Sequence, residues 1–313
     1  MDPMKPTGDP ALRGLEVYGP DANCTLTPGP LYCLPVYSVY QYRPALSANI
    51  TFLVLFSLAL FIHVGLGIKY RTVTFATVIT CGCLSEIIGY AGRIMLYQNP
   101  FTFTGFLMQI ICITFGPTWF TAAIYLTLSK IVIYLGPEYS RFSPKFYYWA
   151  FIPCDILSLV LQAVGGALSS TSSGGSRTAV DVSIAGLSFQ VFTLCVFIGL
   201  VLEYAYRYRR ASKGVGHLTT HFKIFSSFLA LAILLILIRC AYRIDELSDG
   251  YQGPLIHNEG LFIGLEGVMV VVAIYCLIVA HPGPIFKDDP SALSMGERTT
   301  EPRMEDGVMA KSG

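Results

Sequence analysis

Seven long apolar runs, separated by short polar segments, divide this chain of 313 residues. A membrane-spanning helix needs about 20 mainly apolar residues, because each residue adds about 1.5 Å along a hydrocarbon core about 30 Å thick. Every run reaches that length. The runs are Ser47–Ile68, Val73–Leu96, Gly105–Ile133, Tyr148–Leu168, Ile184–Tyr206, Phe222–Tyr242 and Gly260–Ala280.

Runs of this length and composition predict helices, because lipid offers no hydrogen-bond partner to a free backbone group. We therefore predict an all-α membrane protein built as a seven-transmembrane-helix bundle. Residues 47–281 form the transmembrane domain in this interpretation. Residues 1–46 are an N-terminal tail, and residues 282–313 are a C-terminal tail whose polar composition predicts disorder.

Positive charges indicate the orientation of the bundle. They concentrate in the loops after the first, third and fifth runs, whereas the alternate loops carry few of them. By the positive-inside rule the N-terminal tail is extracellular and the C-terminal tail is cytoplasmic. The residues that carry this asymmetry are Lys69, Arg71, Arg141, Lys145, Arg207, Arg209, Arg210 and Lys213.

The composition agrees with a membrane protein and narrows the possible functions. Hydrophobic residues make up 53% of the chain and charged residues 13%, with a mean hydropathy of +0.57, whereas a soluble domain is about 25% charged. A net charge of +1 gives no indication of a nucleic-acid partner. The Gly-x-x-x-x-Gly-Lys-Ser/Thr pattern of nucleotide-binding loops is missing. Uphill transport would therefore depend on an ion gradient or on another chain.

The N-terminal tail contains two cysteines and one acceptor pattern for glycosylation. An oxidising exterior favours a disulfide between Cys24 and Cys33. Asn23 begins an Asn-Cys-Thr sequence on the side predicted to be extracellular, so it is a candidate glycosylation site. The remaining cysteines lie in the apolar runs and are interpreted as small packing residues, and we predict no metal site.

Polar residues recur at helical spacing inside the runs. Glu86, Tyr90 and Arg93 are separated by four and then three residues, so they share one helix face. Polar residues inside a membrane are costly and mark the bundle interior, a pathway or a binding site. The candidate substrate-binding residues are Glu86, Tyr90, Arg93, Gln109, Asp155, Gln162, Gln190, Arg239, Arg243, Glu246, Glu259 and Glu266.

Counting residues along each helix places Glu86 and Asp155 near the midplane and most other candidates nearer the outer leaflet. The deep set then contains the acids Glu86, Asp155 and Glu266 against the bases Arg93 and Arg239, so pairing leaves one acid over. Such an acid should take up a proton, bind a cation or face water. Alternatively, Glu86 and Arg93 form a purely structural clamp, and the glutamines bond helices to one another.

Several segments resemble the fungal lipid-translocating exporter family, also called the 7-aminocholesterol-resistance family. The resemblance covers about residues 36 to 284. The segments that carry it are Tyr40-Gln41-Tyr42-Arg43-Pro44 with Asn49, Glu86 through Arg93, Ala122 through Leu126, Leu135 through Ser140, Asp155 through Gly166, Gly186 through Gln190, Arg239 with Arg243, Glu246 and Glu259, and His281-Pro282-Gly283.

The resemblance implies a multi-pass protein of a fungal plasma membrane. Members of the family are linked to sphingoid-base export, sterol-analogue resistance, phospholipid asymmetry and protoporphyrin uptake. Glu266 departs from the pattern, because aspartate is commoner near that position. The positions that match the family's polar residues are Glu86, Arg93, Asp155, Gln162, Gln190, Arg239, Arg243, Glu246 and Glu259.

We predict a transporter or translocator of amphipathic lipid-like molecules, such as a sphingoid base, a sterol analogue or a phospholipid, and not an enzyme. The deep acids would meet a cationic or hydroxylated headgroup, and the arginines would counter those acids or an anionic group of the substrate. Its partners would be membrane lipids and that substrate. Two alternatives stay open: a seven-helix receptor or sensor that regulates lipid handling, and a protein that binds or transports porphyrin or haem through Tyr and His ligands.

Overall fold

A computed structural model describes residues 17, 19–28, 32–171, 177–211, 219–248, 253 and 255–286. Seven helical spans in this part of the chain are long and apolar enough to cross a membrane, which confirms the predicted seven-helix bundle. The spans extend beyond the apolar runs at most ends. The first six are α1 (Leu46–Tyr70), α2 (Val73–Gln98), α3 (Phe103–Leu135), α4 (Pro144–Thr171), α5 (Arg177–Ala211) and α6 (Thr220–Ser248).

The seventh span, Glu259–Phe286, is not a uniform α-helix. It begins as α7 (Glu259–Leu261), where the Asn258 side chain accepts hydrogen bonds from the backbone N–H groups of Gly260 and Leu261. A π-helical segment, Phe262–Val268, follows and then passes into α8 (Met269–Val279) and α9 (Pro282–Phe286). A π-helical turn inside a helix often marks a functional position.

The spans pack in sequence order around a ring, in which α1 also contacts α8. Helix α3 also contacts α6, and 61% of its most apolar window is buried, against 28–50% for the other spans. Helix α3 is therefore the central helix of the bundle. It contributes buried residues to the large apolar cluster that fills the interior.

The described part of the N-terminal tail folds over one end of the bundle, which we call the tail-side end. The tail-side end contains the first residues of α1 and α3 and the last residues of α2, α4 and α6. A disulfide joins Cys24 and Cys33, and both cysteines pack with Phe101 from the connection between α2 and α3. The Asn99 side chain donates a hydrogen bond to the Cys24 carbonyl at 3.4 Å. The tail thus caps the helices at this end.

The opposite end of the bundle closes around His281. The backbone N–H of Gly283 donates to His281 Nδ1 at 3.0 Å, and His281 Nε2 lies 3.4 Å from Thr72 Oγ1. Phe286 in α9 is fully buried. The structured bundle therefore continues through residue 286, and the rest of the predicted C-terminal tail, residues 287–313, lies outside the described residues.

Helices α2 and α3 approach each other at a pair of glycines. A Cβ atom on Gly92 would lie 2.9 Å from both the Gln109 backbone nitrogen and the Gly105 carbonyl oxygen. Backbone atoms inside a helix cannot shift to relieve such contacts without displacing the helix. Small residues allow this close helix packing in membranes, and here it brings Gln109 beside the polar face of α2.

We expect Gly92→Ala to destabilise the bundle by about 1–3 kcal/mol, the usual cost of overpacking a tight interface. Gly65→Ala on α1 is the matched control, because a Cβ atom there meets nothing within 4 Å. Equilibrium unfolding of the purified protein in detergent micelles measures both variants. Equal losses for the two substitutions would contradict the assigned α2–α3 contact.

Candidate functional site

The deepest ion pair joins α6 to the seventh span. Arg239 Nη2 donates to Glu266 Oε1 at 2.5 Å and to the Ile113 carbonyl of α3 at 3.0 Å. Both charged side chains are fully buried. Glu266 lies in the π-helical segment, where Gly267 allows the Phe52 ring of α1 to pack directly against the backbone. This pair holds α3, α6 and the seventh span together.

A second buried arginine, Arg93 on α2, holds the tail against the bundle. Its Nε donates to Asn49 Oδ1 at 2.9 Å, and its Nη2 donates to the Tyr42 hydroxyl at 3.3 Å and lies 3.5 Å from Glu259 Oε1. The guanidinium also stacks 3.8 Å from the centre of the Phe262 ring. Burial raises the pKa of Tyr42, so its hydroxyl stays protonated at neutral pH.

The alternative in which Glu86 and Arg93 form a structural clamp is wrong, because Arg93 pairs with Glu259 instead. Among the described residues, neither carboxylate oxygen of Glu86 has a hydrogen-bond partner. The Glu86 side chain is 1% exposed and packs against the backbone of Gly116 in α3, where a Cβ atom would displace it. An ionised carboxylate in that position would be costly, whereas a neutral carboxyl group is tolerated.

The sequence predicts that one deep acid lacks a basic partner, whereas the structure leaves two deep acids without one in the part of the chain that it describes. Arg239 pairs with Glu266 and Arg93 with Glu259, which leaves Glu86 and Asp155 without an arginine among the described residues. The difference arises because Glu259, which precedes the seventh apolar run and is not in the deep set, begins the seventh span and takes Arg93 as its partner.

Asp155 on α4 is held by hydroxyl groups from the neighbouring helices. Thr121 Oγ1 of α3 donates to Asp155 Oδ2 at 3.1 Å, and Thr193 Oγ1 of α5 donates to Asp155 Oδ1 at 3.5 Å. Neither threonine was identified from the sequence. A threonine on an apolar helix gives no signal of its own, because it usually bonds to the backbone of the same helix.

The glutamines form a chain across three helices, as the structural alternative predicted. Gln162 Nε2 of α4 donates to Gln190 Oε1 of α5 at 3.1 Å, and Gln190 Nε2 donates to Thr118 Oγ1 of α3 at 3.0 Å. The third glutamine, Gln109, lies apart from this chain and donates to the Tyr40 hydroxyl in the tail at 2.9 Å. Two glutamines thus fasten α4 and α5 to the central helix.

Arg243 and Glu246 form an ion pair at the tail-side end of α6, with Arg243 Nη1 2.5 Å from Glu246 Oε2. Arg243 Nε also lies 4.0 Å from Glu266 Oε2, which links this pair to the deep one. Beside it is a cavity of about 20 Å³, large enough for a single water molecule. Gln109, Arg243 and Glu246 line it, together with Tyr40 from the tail.

A larger cavity of about 300 Å³ lies between α3, α4, α5 and α6, at the lower limit of ligand-binding pockets. Its lining residues on α3 run from Phe103 to Phe115, so it extends about 18 Å into the bundle from the tail-side end. Ile111 and Ala167 are exposed on the lipid-facing surface. The cavity therefore opens sideways between α3 and α4, into the apolar layer.

Two of the predicted site residues, Gln162 and Arg243, line this larger cavity. For all twelve candidates the substrate-binding role stays a prediction, and most of the others serve the ion pairs and helix contacts described above. The candidates that line neither of the two cavities are Glu86, Tyr90, Arg93, Asp155, Gln190, Arg239, Glu259 and Glu266.

Most of the cavity wall could not have been identified from the sequence. Apolar residues such as Leu107, Phe115 and Leu187, and small ones such as Ala163, line it. The same residue types pack helices together anywhere in a bundle, so neither type nor spacing distinguishes them. The polar threonine of the wall, Thr114, bonds to its own helix through the Ile110 carbonyl and shows no separate pattern.

Comparisons with known proteins agree on one family. The model of the family described as RTA1 like protein matches residues 79–289. The sphingoid long-chain base transporter RSB1 of Saccharomyces cerevisiae is 30% identical over 295 residues, covering 83% of this chain and 77% of the relative. Protein RTA1 of the same yeast is 26% identical over 271 residues, covering 79% and 85%. Protein RTM1 is 26% identical over 235 residues, covering 71% and 74%.

No solved structure gives a significant match to this chain.

The two buried acids Glu266 and Glu86 should respond differently to the same change. Glu266→Gln removes the counter-ion of a fully buried arginine, so we expect a loss of about 3–5 kcal/mol in the free energy of unfolding. Glu86→Gln replaces a neutral carboxyl group with an amide of nearly equal volume, so we expect a change below about 1.5 kcal/mol. Equilibrium unfolding in micelles measures both, and a larger loss for Glu86→Gln would contradict the assigned pairing.

Proposed function

This chain belongs to the RTA1-like protein family, and from that membership and the geometry of its cavities we propose that it moves amphipathic lipid-like molecules across a membrane. Lipid-related transport agrees with the relative that is named a sphingoid long-chain base transporter. We further propose the plasma membrane as the location, with the tail-side end outside, in accordance with the positive charges of the alternate loops.

The observation that carries this proposal is the cavity that opens sideways between α3 and α4. A soluble substrate would reach a site from the aqueous end of the bundle, whereas an amphiphile already dissolved in the bilayer reaches it from the side. The exposed lining residues Ile111 and Ala167 lie at such a side opening. The acyl chain could remain in contact with lipid there while the polar end enters the bundle.

The polar residues of the cavity lie well below the tail-side surface. Gln162 is nine residues before the end of α4, about 13 Å along the helix axis. Helix α4 has 28 residues and is about 42 Å long, so it extends about 6 Å beyond each side of a hydrocarbon core about 30 Å thick. A headgroup beside Gln162 would therefore lie about 7 Å inside that core. A site at this depth favours a translocation intermediate over simple attachment of a lipid to the protein surface.

A sphingoid base is the first substrate to test, because it is the molecule in the name of the relative with 30% identity. It combines one long chain with amino and hydroxyl groups, which suits an apolar cleft with polar groups inside. We propose that Glu86 and Asp155, which have no arginine partner among the described residues, serve the later part of the path. A cationic headgroup leaving the cavity would meet, in these two acids, carboxyl groups that no arginine of the described residues neutralises.

Flux into proteoliposomes tests this proposal with a radiolabelled sphingoid base. We expect protein-dependent movement across the bilayer, reduced at least tenfold by Ala163→Phe, because the larger ring fills a cavity of about 300 Å³. Leu157→Phe is the matched control, since Leu157 lies on the same helix and is 52% exposed on its outer surface. We expect the control to retain flux.

If the wild-type protein moves none of several amphiphiles, the transport proposal is wrong. A seven-helix receptor or sensor would then account for ligand binding without flux. An absorbance spectrum of the purified protein tests the porphyrin alternative, because a bound haem or porphyrin absorbs strongly in the visible range.

A further inference from the structure

Gln162 has one free hydrogen-bonding atom in a place where such atoms are rarely left free. Its side-chain nitrogen is used in the bond to Gln190, but its Oε1 has no partner among the described residues. The residue is only 8% exposed and lines the larger cavity. A buried carbonyl oxygen without a partner costs about 1–3 kcal/mol, so a hydrogen-bond donor that reached Oε1 from the cavity would be stabilised there.

The direction of the glutamine chain makes this free atom an acceptor. Gln190 donates to Thr118 Oγ1 and accepts from Gln162 Nε2, so the Gln162 amide presents its oxygen. Close packing of α4 on α5 keeps the side chain in place. A Cβ atom on Gly186 of α5 would lie 3.0 Å from Gln162 Cγ and 2.8 Å from the Ser158 carbonyl.

The other polar groups of the cavity add acceptor capacity and little net charge. Thr114 Oγ1 uses its hydrogen in the bond to the Ile110 carbonyl at 2.6 Å, which leaves its oxygen lone pairs for a donor. The charge of Arg243 is balanced by Glu246 at 2.5 Å. The Ser183 hydroxyl of α5 also lines the cavity. The cavity wall therefore combines an apolar surface with the acceptors Gln162 Oε1 and Thr114 Oγ1 and with a further hydroxyl group.

We infer that this cavity selects single-chain amphiphiles whose headgroup carries a hydroxyl or amino hydrogen-bond donor, and that Gln162 Oε1 accepts the hydrogen bond from that headgroup. Thr114 Oγ1 is the second acceptor. The aliphatic chain lies along α3 and leaves through the opening beside Ile111. The inference deepens the proposed function and rests on it for the lipid-like nature of the occupant.

A matched set of ligands tests this selection on the full-length protein. Hexadecylamine, hexadecanol and hexadecyl methyl ether share one chain length, but the ether lacks a donor. We expect native mass spectrometry in detergent to show that the amine and the alcohol bind roughly tenfold more tightly than the ether, as loss of one bond to a buried acceptor predicts. Equal binding of alcohol and ether to the wild-type protein would overturn the inference without any variant.

Gln162→Met keeps the length of the side chain and removes the acceptor. We expect the preference for the alcohol over the ether to fall to about twofold or less. Leu157→Met on the same helix is the control that keeps the preference, because Leu157 is exposed on the outer surface and does not line this cavity. A thermal unfolding curve verifies that each variant is folded. A Gln162→Met protein that retained the tenfold preference would contradict the assignment.

Binding and flux separate this inference from the transport proposal. Selective binding without flux of any amphiphile would support the acceptor site and overturn transport. Flux of the amine, the alcohol and the ether at equal rates, together with equal binding, would support transport and overturn the acceptor site.

Discussion

The bundle depends on the ion pair between Arg239 and Glu266, because a charged side chain fully buried within a membrane must find its counter-ion inside the protein. The π-helical segment of the seventh span contains Glu266, and Arg239 also bonds to the backbone of α3. One interaction thus fixes the seventh span and α6 against the central helix. Arg243 extends the same network towards the tail-side end, where the cavities lie.

Polar groups are used in two different ways in the two halves of the ring. Arginines tie α2, α6 and the seventh span together and fasten the tail over the end of the bundle through Arg93. Hydroxyl and amide groups join α3, α4 and α5 through hydrogen bonds around Asp155 and Gln190, without an arginine. The larger cavity lies on this second side. A region joined by such hydrogen bonds can open with less cost than one held by buried ion pairs, which suits the entry of a ligand.

Helix number and the inward-facing polar positions could be predicted from the sequence, because apolar length and helical spacing directly reflect the membrane. The partner of each buried charge could not be predicted from the sequence. Arg93 pairs with Glu259, which is far away in the chain, and only the closure of the ring, with the seventh span beside α1, brings them together. The cavity could not be predicted either, because Leu107, Ala163 and Leu187 resemble ordinary packing residues. The tail gave no sign of its role as a cap apart from its cysteines, because its contacts with Gln109 and Arg93 come from the fold.

The proposed function requires an amphiphile from the bilayer to occupy the cleft between α3 and α4. Photo-crosslinking with a long-chain amine that carries a diazirine on its chain, followed by mass spectrometry of the labelled protein, tests this occupancy. We expect labels on cavity residues such as Phe115 and Leu187, with little on Phe61 of α1, which is 71% exposed on the outside of the bundle. Labels on Phe61 as dense as those in the cleft would show ordinary contact with lipid and would contradict occupancy of the cleft.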